Sequence, residues 1–411
     1  MKALRRAAYA VLEAEPWVVG ALALAGVVEE RFLLAAVGAA VLFWLLGLLA
    51  GVRRASLGAA WPIAGLAGLA ALQAGVSPLP ERSQLEGLRL LAWVGVFLAL
   101  GLWVRTRRRV NLAVAGLALL GLALAGAALF TVNWTDRKLP FIPIDFLMRL
   151  PRLGERVHPN VMAGALVVLV PFLGAWWLFN LRRLGWAGAL GLGGVLLIMS
   201  GVVVLTKSRA GYLGLAGGVA LLPMLRWKRA GSALVLGAGL LAGVLFFSPS
   251  SPLPREMLFG SSLQTALQGR EDIWRQAAFL LRHFPLTGVG LGCFGPASDV
   301  LAPVPGGVKA TPHAHNLFLQ VGAELGWPGV ILWAGVMLAL VVEGCLLYRS
   351  SAPWQGLGAG LLASLLAMNV HGIWDAVTWG TRMAFVPWLI WGVCCGARQI
   401  LPDRLKQDYD S

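Results

Sequence analysis

The feature that most constrains this chain is the recurrence of apolar stretches separated by short polar breaks. They run over 16–28, 32–52, 58–76, 88–104, 110–130, 161–179, 186–205, 212–225, 232–247, 328–347, 355–370 and 382–397. A helix needs roughly 20 apolar residues to cross a bilayer core, where every backbone polar group must be satisfied internally. Several stretches are shorter and need flanking residues or shielding neighbours to complete a crossing. Of the 411 residues, 58% are hydrophobic and 13% charged, against about 25% charged in a soluble domain. The 52 glycines suit helices that approach closely in lipid. The expectation is an all-α polytopic membrane protein of about twelve transmembrane helices.

The net charge of +15 does not point to nucleic acid, because the basic residues sit in short clusters between apolar runs. With the N-terminus cytoplasmic, the inner segments hold Lys2, Arg5, Arg6, Arg53-Arg54, Arg105 with Arg107-Arg108-Arg109, Arg182-Arg183, Arg226 with Lys228-Arg229, Arg349, Arg398, Arg404 and Lys406. These are 18 of the 34 basic residues. The alternate short loops carry Glu29-Glu30-Arg31 and Pro80-Glu81-Arg82. The positive-inside rule therefore fits twelve spans with both termini cytoplasmic. Glu13 and Glu15 interrupt the first apolar run and no small-residue cleavage site follows, so the first helix is expected to be retained. Cys293, Cys345, Cys394 and Cys395 show no metal-ligand spacing, and no disulfide framework is expected.

Two connections are too long to be plain turns, and both fall on the outer side. Residues 131–160 contain Asn133-Trp134-Thr135-Asp136-Arg137-Lys138 and His158. Residues 248–314 open on Ser248-Pro249-Ser250-Ser251-Pro252 and include a helical segment near 270–284, where Ile273, Trp274, Ala277, Leu280, Leu281 and Phe284 recur at helical spacing. That segment is expected to lie on the membrane surface or cap the bundle. The chain thus divides into 1–247, nine transmembrane helices with the outer loop 131–160; 248–314, a loop region; and 315–411, the remaining transmembrane helices and a cytoplasmic tail.

Polar residues gather at the outer helix ends, including four of the five histidines: His158, His313, His315 and His371. Polar groups near membrane depth face a cavity or a partner, so an outward-facing functional cleft is the expectation. Lys207-Ser208-Arg209 runs against the positive-inside bias; an outer guanidinium suits phosphate or carboxylate, or serves as a topological anchor. Arg270, with Glu271, Asp272 and Arg275 beside it, also reads as a solvated helix face. His313-Ala314-His315-Asn316 opens a helix that continues to Leu325 and breaks at Gly326-Trp327-Pro328-Gly329. Histidines two apart on a helix point in different directions and no Cys or carboxylate lies at ligand spacing, so no metal site is expected.

His315-Asn316, nine residues, then Gly326-Trp327-Pro328-Gly329 resembles the H-N-x9-G-x-x-G signature of the O-antigen ligase and polymerase superfamily. Three further pieces resemble it in order: His158-Pro159-Asn160 with Ala163, Ser208-Arg209-Ala210-Gly211, and Gly269-Arg270 with Trp274 followed by Pro285-Leu286-Thr287-Gly288-Val289-Gly290. The resemblance covers roughly residues 155–345.

That resemblance implies a GT-C type inverting membrane glycosyltransferase in the bacterial inner membrane, with a periplasmic active site and no cofactor or metal. The implied partners are an undecaprenyl-diphosphate-linked glycan donor, a glycan or lipid A-core acceptor, and membrane lipid. His315 would be the catalytic base, since histidine titrates near working pH. Arg209 and Arg270 would hold the donor diphosphate, with Lys207 and Arg275 secondary. Asn316 would orient the base, while His158, Asn160 and His313 shape the cleft. An O-antigen ligase comes first, because the long outer loop directly precedes the His-Asn motif and no extra C-terminal domain follows. A Wzy-type polymerase or a protein O-oligosaccharyltransferase is the alternative. A lipid-linked glycan transporter is the reading from a different class, and it predicts charges along a path through the bilayer.

Overall fold

The computed structural model describes residues 10–49, 51, 59–134, 144–247, 261–303, 311–351 and 353–401. Thr135–Lys138 and the Ser248–Pro252 tract lie outside these residues. The described chain is helical, with one isolated bridge between Val132 and Val157. The helices are α1 (Glu15–Val28), α2 (Arg31–Leu49), α3 (Ala60–Val76), α4 (Pro80–Trp103), α5 (Arg107–Thr131), the short α6 (Asp145–Met148), α7 (Pro159–Leu205), α8 (Arg209–Trp227), α9 (Arg229–Phe247), α10 (Ser261–His283), α11 (Phe294–Leu301), α12 (Leu317–Arg349), α13 (Trp354–Gly372) and α14 (Phe385–Arg398). Among the described residues, six helical stretches are long and apolar enough to cross a membrane: Ala10–Val28, Arg31–Leu49, Pro80–Trp103, Arg107–Thr131, Pro159–Leu205 and Leu317–Arg349.

The apolar stretches 161–179 and 186–205 merge into α7, but its 47 residues are not one rod. Gly185 adopts φ 65°, ψ 175° inside it, a conformation open to glycine and costly to other residues. Trp177 Nε1 donates to the Ala189 carbonyl at 2.8 Å, although twelve residues of straight helix would separate them by about 18 Å. The helix therefore folds back on itself at Gly185, giving two antiparallel arms.

Side chains on the outer surface of the bundle are apolar: Leu190, Leu197, Leu236, Leu240, Ile331 and Leu338 are all exposed. Such a face suits lipid, whereas water would penalise it. Inside, small residues bring backbones together. α13 packs against α7, α8 and α12, and a Cβ at Gly360 would stand 2.9 Å from the Phe172 carbonyl oxygen. Gly214 is closed in the same way by the Ala367 carbonyl, at 2.8 Å.

α12 breaks at Gly326 (φ 66°, ψ −168°), with Pro328 starting the second arm. The break frees carbonyls that the loop after α10 takes up. Val289 N–H donates to the Ala323 oxygen at 2.9 Å and Gly290 N–H to the Glu324 oxygen at 3.0 Å, while Trp327 N–H reaches the Pro285 oxygen at 2.8 Å. The Pro285–Gly290 loop and the G-x-x-G break are thus two halves of one joint. α10 packs on α12 and α11 through Ile273, Ala277 and Leu280, the face that its apolar spacing marked.

Candidate active site

Four helix ends meet at this centre: the N-termini of α7, α8 and α12 and the C-terminus of α13. Each start is set by a side chain that accepts an otherwise unpaired backbone N–H. His158 caps α7, its Nδ1 accepting from Asn160 N at 3.2 Å, and Pro159 takes the first helical turn. Ser208 Oγ accepts from Gly211 N at 3.1 Å, which places Arg209 in the first turn of α8. Asn316 Oδ1 accepts from Phe318 N and Leu319 N at 3.0 Å. At their far ends the same helices carry basic turns, with Arg226 over the Phe179 ring and the Tyr348 hydroxyl donating to the Leu225 carbonyl at 2.7 Å.

The centre itself is Asp375, 1% exposed, in the turn after α13. Its Oδ2 accepts from Asn160 Nδ2 at 2.8 Å and its Oδ1 from Ala376 N at 2.9 Å. His313 Nε2 and His315 Nδ1 each lie 3.4 Å from the same Oδ1. Those separations are slightly longer than a formed hydrogen bond and can tighten when substrate binds. Burial pushes the Asp375 carboxyl up, but the neighbouring imidazoles, the His315 ring first among them, outweigh it and hold the group well below the usual carboxylate range. Burial pushes His313 down to about 4, with His315 adding to the shift. His313 therefore stays neutral at ordinary pH.

The His-x-His pair does not lie on a helix, contrary to the expectation. α12 begins at Leu317, and His315 takes φ 48°, a left-handed conformation that costs a non-glycine residue roughly 1–2 kcal/mol. This turn brings the two rings to 4.2 Å between centroids. The carboxylate that local spacing lacks comes from Asp375, in the turn after α13. His313, His315 and Asp375 present ligand atoms within 4.8 Å of one another.

Arg270 lies near this cluster. Burial lowers its pKa, Asp375 opposes that shift and Arg209 adds to it, so both charges act on its guanidinium. Lys207 is buried in the turn before α8, at φ 53°. Arg275 stands apart: its side chain is 71% exposed and pairs with Glu271 at 2.6 Å and Asp272 at 3.5 Å. The Asn316 amide donates to the Ile373 carbonyl at 3.1 Å, so Asn316 fastens the loop to the end of α13 and leaves the His315 ring to Asp375. Arg382, seven residues beyond Asp375, pairs with Glu155 at 2.6 Å.

Two acidic residues matter more than the sequence reading allowed. With His371 and Trp374, Asp375 reads from sequence as a cleft-lining residue or an interfacial anchor; its place three residues after Gly372, where α13 ends, is what carries it into the centre. Glu324, 1% exposed beside the α12 break, receives Gln320 Nε2 and Trp379 Nε1, each at 2.8 Å. Both of its oxygens are satisfied within the protein, as expected of a group that holds the joint.

The fold and this centre together define a membrane protein with several candidate spanning helices and a His/Asp/Arg cluster at converging helix ends. Residues 194–334 match the family model described as O-Antigen ligase, which supports the O-antigen ligase and polymerase superfamily, a membrane glycosyltransferase-type family. The matched segment contains Lys207, Arg209, Arg270, Arg275, His313, His315 and Asn316; His158, Asn160 and Asp375 lie outside it. No curated protein matches the chain.

Proposed function

We propose that this chain is an inverting, metal-independent glycosyltransferase of GT-C type, moving a glycan from undecaprenyl diphosphate to an acceptor hydroxyl on the periplasmic side of the bacterial inner membrane. The O-antigen ligase, with lipid A-core as acceptor, is the preferred member of that class. The observation that carries the reading is the pairing of His315 Nδ1 with the buried Asp375 carboxylate at 3.4 Å, in a cluster that also holds Arg270. A carboxylate facing Nδ1 keeps the proton there and leaves Nε2 as the basic nitrogen.

In this mechanism His315 Nε2 takes the proton of the acceptor hydroxyl as its oxygen bonds to the anomeric carbon. The bond from that carbon to the diphosphate oxygen breaks with inversion, and undecaprenyl diphosphate leaves with the charge it gains. Arg209 and Arg270 hold that charge, each charge-assisted hydrogen bond contributing about 1.5–3 kcal/mol. Lys207 adds positive potential from its buried turn, and Asn160 supports the base through Asp375. The basic turns at the far helix ends support the twelve-span topology with cytoplasmic termini.

Purified protein with an undecaprenyl-diphosphate glycan and candidate acceptors tests the reading. Transfer to lipid A-core, abolished in His315→Ala, is the expected result. Chain growth on the donor alone would make the protein a polymerase. A glycan that is bound or moved between leaflets without transfer would make it a transporter.

A further inference from the structure

We infer that His313, His315 and Asp375 form a binding site for a zinc-class divalent cation, and that the bound cation silences the centre. The second half rests on the reading of His315 as the base. The first half rests on geometry alone.

Two donors at about 2.0–2.1 Å from a tetrahedral zinc stand about 3.3–3.4 Å apart. His313 Nε2 and His315 Nδ1 each stand 3.4 Å from Asp375 Oδ1, which is that edge twice over. The donor set of two imidazoles and one carboxylate suits zinc or cobalt; magnesium and calcium prefer oxygen alone. His315 Nδ1 is buried and faces Asp375 Oδ1 at 3.4 Å with no shorter hydrogen bond among the described residues, so a cation between the two would be held by both. The left-handed backbone of His315 sets both rings against one carboxylate oxygen before any ion arrives. Asn160 and the Ala376 N–H already anchor the carboxylate, the kind of support that orients metal ligands. The His313 and His315 side chains are 18% and 23% exposed, so both rings reach solvent at the edge of the cluster.

The consequence for chemistry follows from the tautomer. The base requires hydrogen on Nδ1 and a lone pair on Nε2. A cation on Nδ1 moves that hydrogen to Nε2, which then has no lone pair with which to accept the acceptor's proton. No proton leaves the ring and no bond is made to substrate. The ion is an inhibitor, released by a chelator.

The test is a calorimetric titration of the detergent-purified, chelator-stripped protein with zinc chloride. Visible spectra with cobalt chloride and glycan-transfer rates are read alongside, and magnesium chloride is the control. One zinc per chain is expected, with an intense four-coordinate cobalt band, no magnesium response, and binding at least tenfold weaker in both His313→Gln and Asp375→Asn. Gel-filtration profiles check that the variants fold, and the cobalt spectrum of the native protein stands without them. Transfer should fall at stoichiometric zinc and return with EDTA. Absence of one-to-one binding, or binding untouched by both substitutions, overturns the site and leaves the base reading intact. Stoichiometric binding through these ligands with undiminished transfer overturns the silencing and removes His315 as the base.

Discussion

Asn160 Nδ2 donates to Asp375 Oδ2 at 2.8 Å across 215 positions of sequence, joining the start of α7 to the end of α13. Asn160→Ala leaves one oxygen of a buried carboxylate without its donor. The expected cost is about 1.5–3 kcal/mol, the range for hydrogen bonds to charged groups. Transfer activity falls with it, because the carboxylate that holds His315 is no longer fixed. Asn160→Asp should be worse, placing a second carboxylate against the first. Thermal melting in detergent and transfer rates check both; a silent Asn160→Ala would mean that the bond does not hold the centre.

Gly326 joins the two motif halves through its backbone. At φ 66°, a Cβ there would stand 2.6 Å from the Pro285 oxygen. Gly326→Ala therefore adds a clash to the roughly 1–2 kcal/mol of a left-handed alanine, and opens the Pro285–Gly290 loop to protease. Gly380 has the same φ with nothing within 4 Å of a Cβ, so Gly380→Ala should show the backbone cost alone. Equal melting shifts in the two variants would contradict the joint.

Arg270 and Arg275 separate the cluster from the surface of one helix. Arg275 is exposed and paired within α10, where a surface ion pair contributes about 0–1 kcal/mol. Arg275→Ala should keep transfer within about twofold of native, a change smaller than one such pair. Arg270→Ala should reduce it by about tenfold or more, the loss of one charge-assisted bond. Transfer rates at saturating donor decide it, and the reverse order would move the diphosphate site onto the exposed face.

Much of the fold was legible because it rests on local pattern. Apolar runs became helices, basic turns fell at the ends away from the site, and the Ile273/Ala277/Leu280 face packed as its spacing required. The cluster was half legible: His315, Arg209 and Arg270 carry motifs of their own, whereas Asp375 is meaningful only once α13 returns it to Asn160. No local pattern encodes that pairing. The His-x-His geometry was misread because the helix was started too early; the Asn316 cap delays it, and the left-handed His315 turns both rings to one side. Arg275 shared a short motif with Arg270 but faces away, a distinction that one turn of helix decides.

The topology has its own measurement. Trp186, beside the Arg182-Arg183 turn, and Leu286, in the loop against the α12 break, are both well exposed. A membrane-impermeant thiol reagent should label Leu286→Cys in cells with a permeabilised outer envelope. It should reach Trp186→Cys only after the inner membrane is opened. Cys293, Cys394 and Cys395 are buried, and half-buried Cys345 is replaced by serine to keep the background low. The opposite pattern would invert the orientation and place the centre in the cytoplasm.

The most direct test of the central claim is single-turnover transfer from an undecaprenyl-diphosphate glycan by native protein, His315→Ala and Asp375→Asn, with donor binding measured in parallel. A base and its orienting carboxylate predict transfer reduced by about 10²–10⁴-fold in His315→Ala, a smaller but clear loss in Asp375→Asn, and donor binding retained in both. Full transfer by folded His315→Ala would contradict the account.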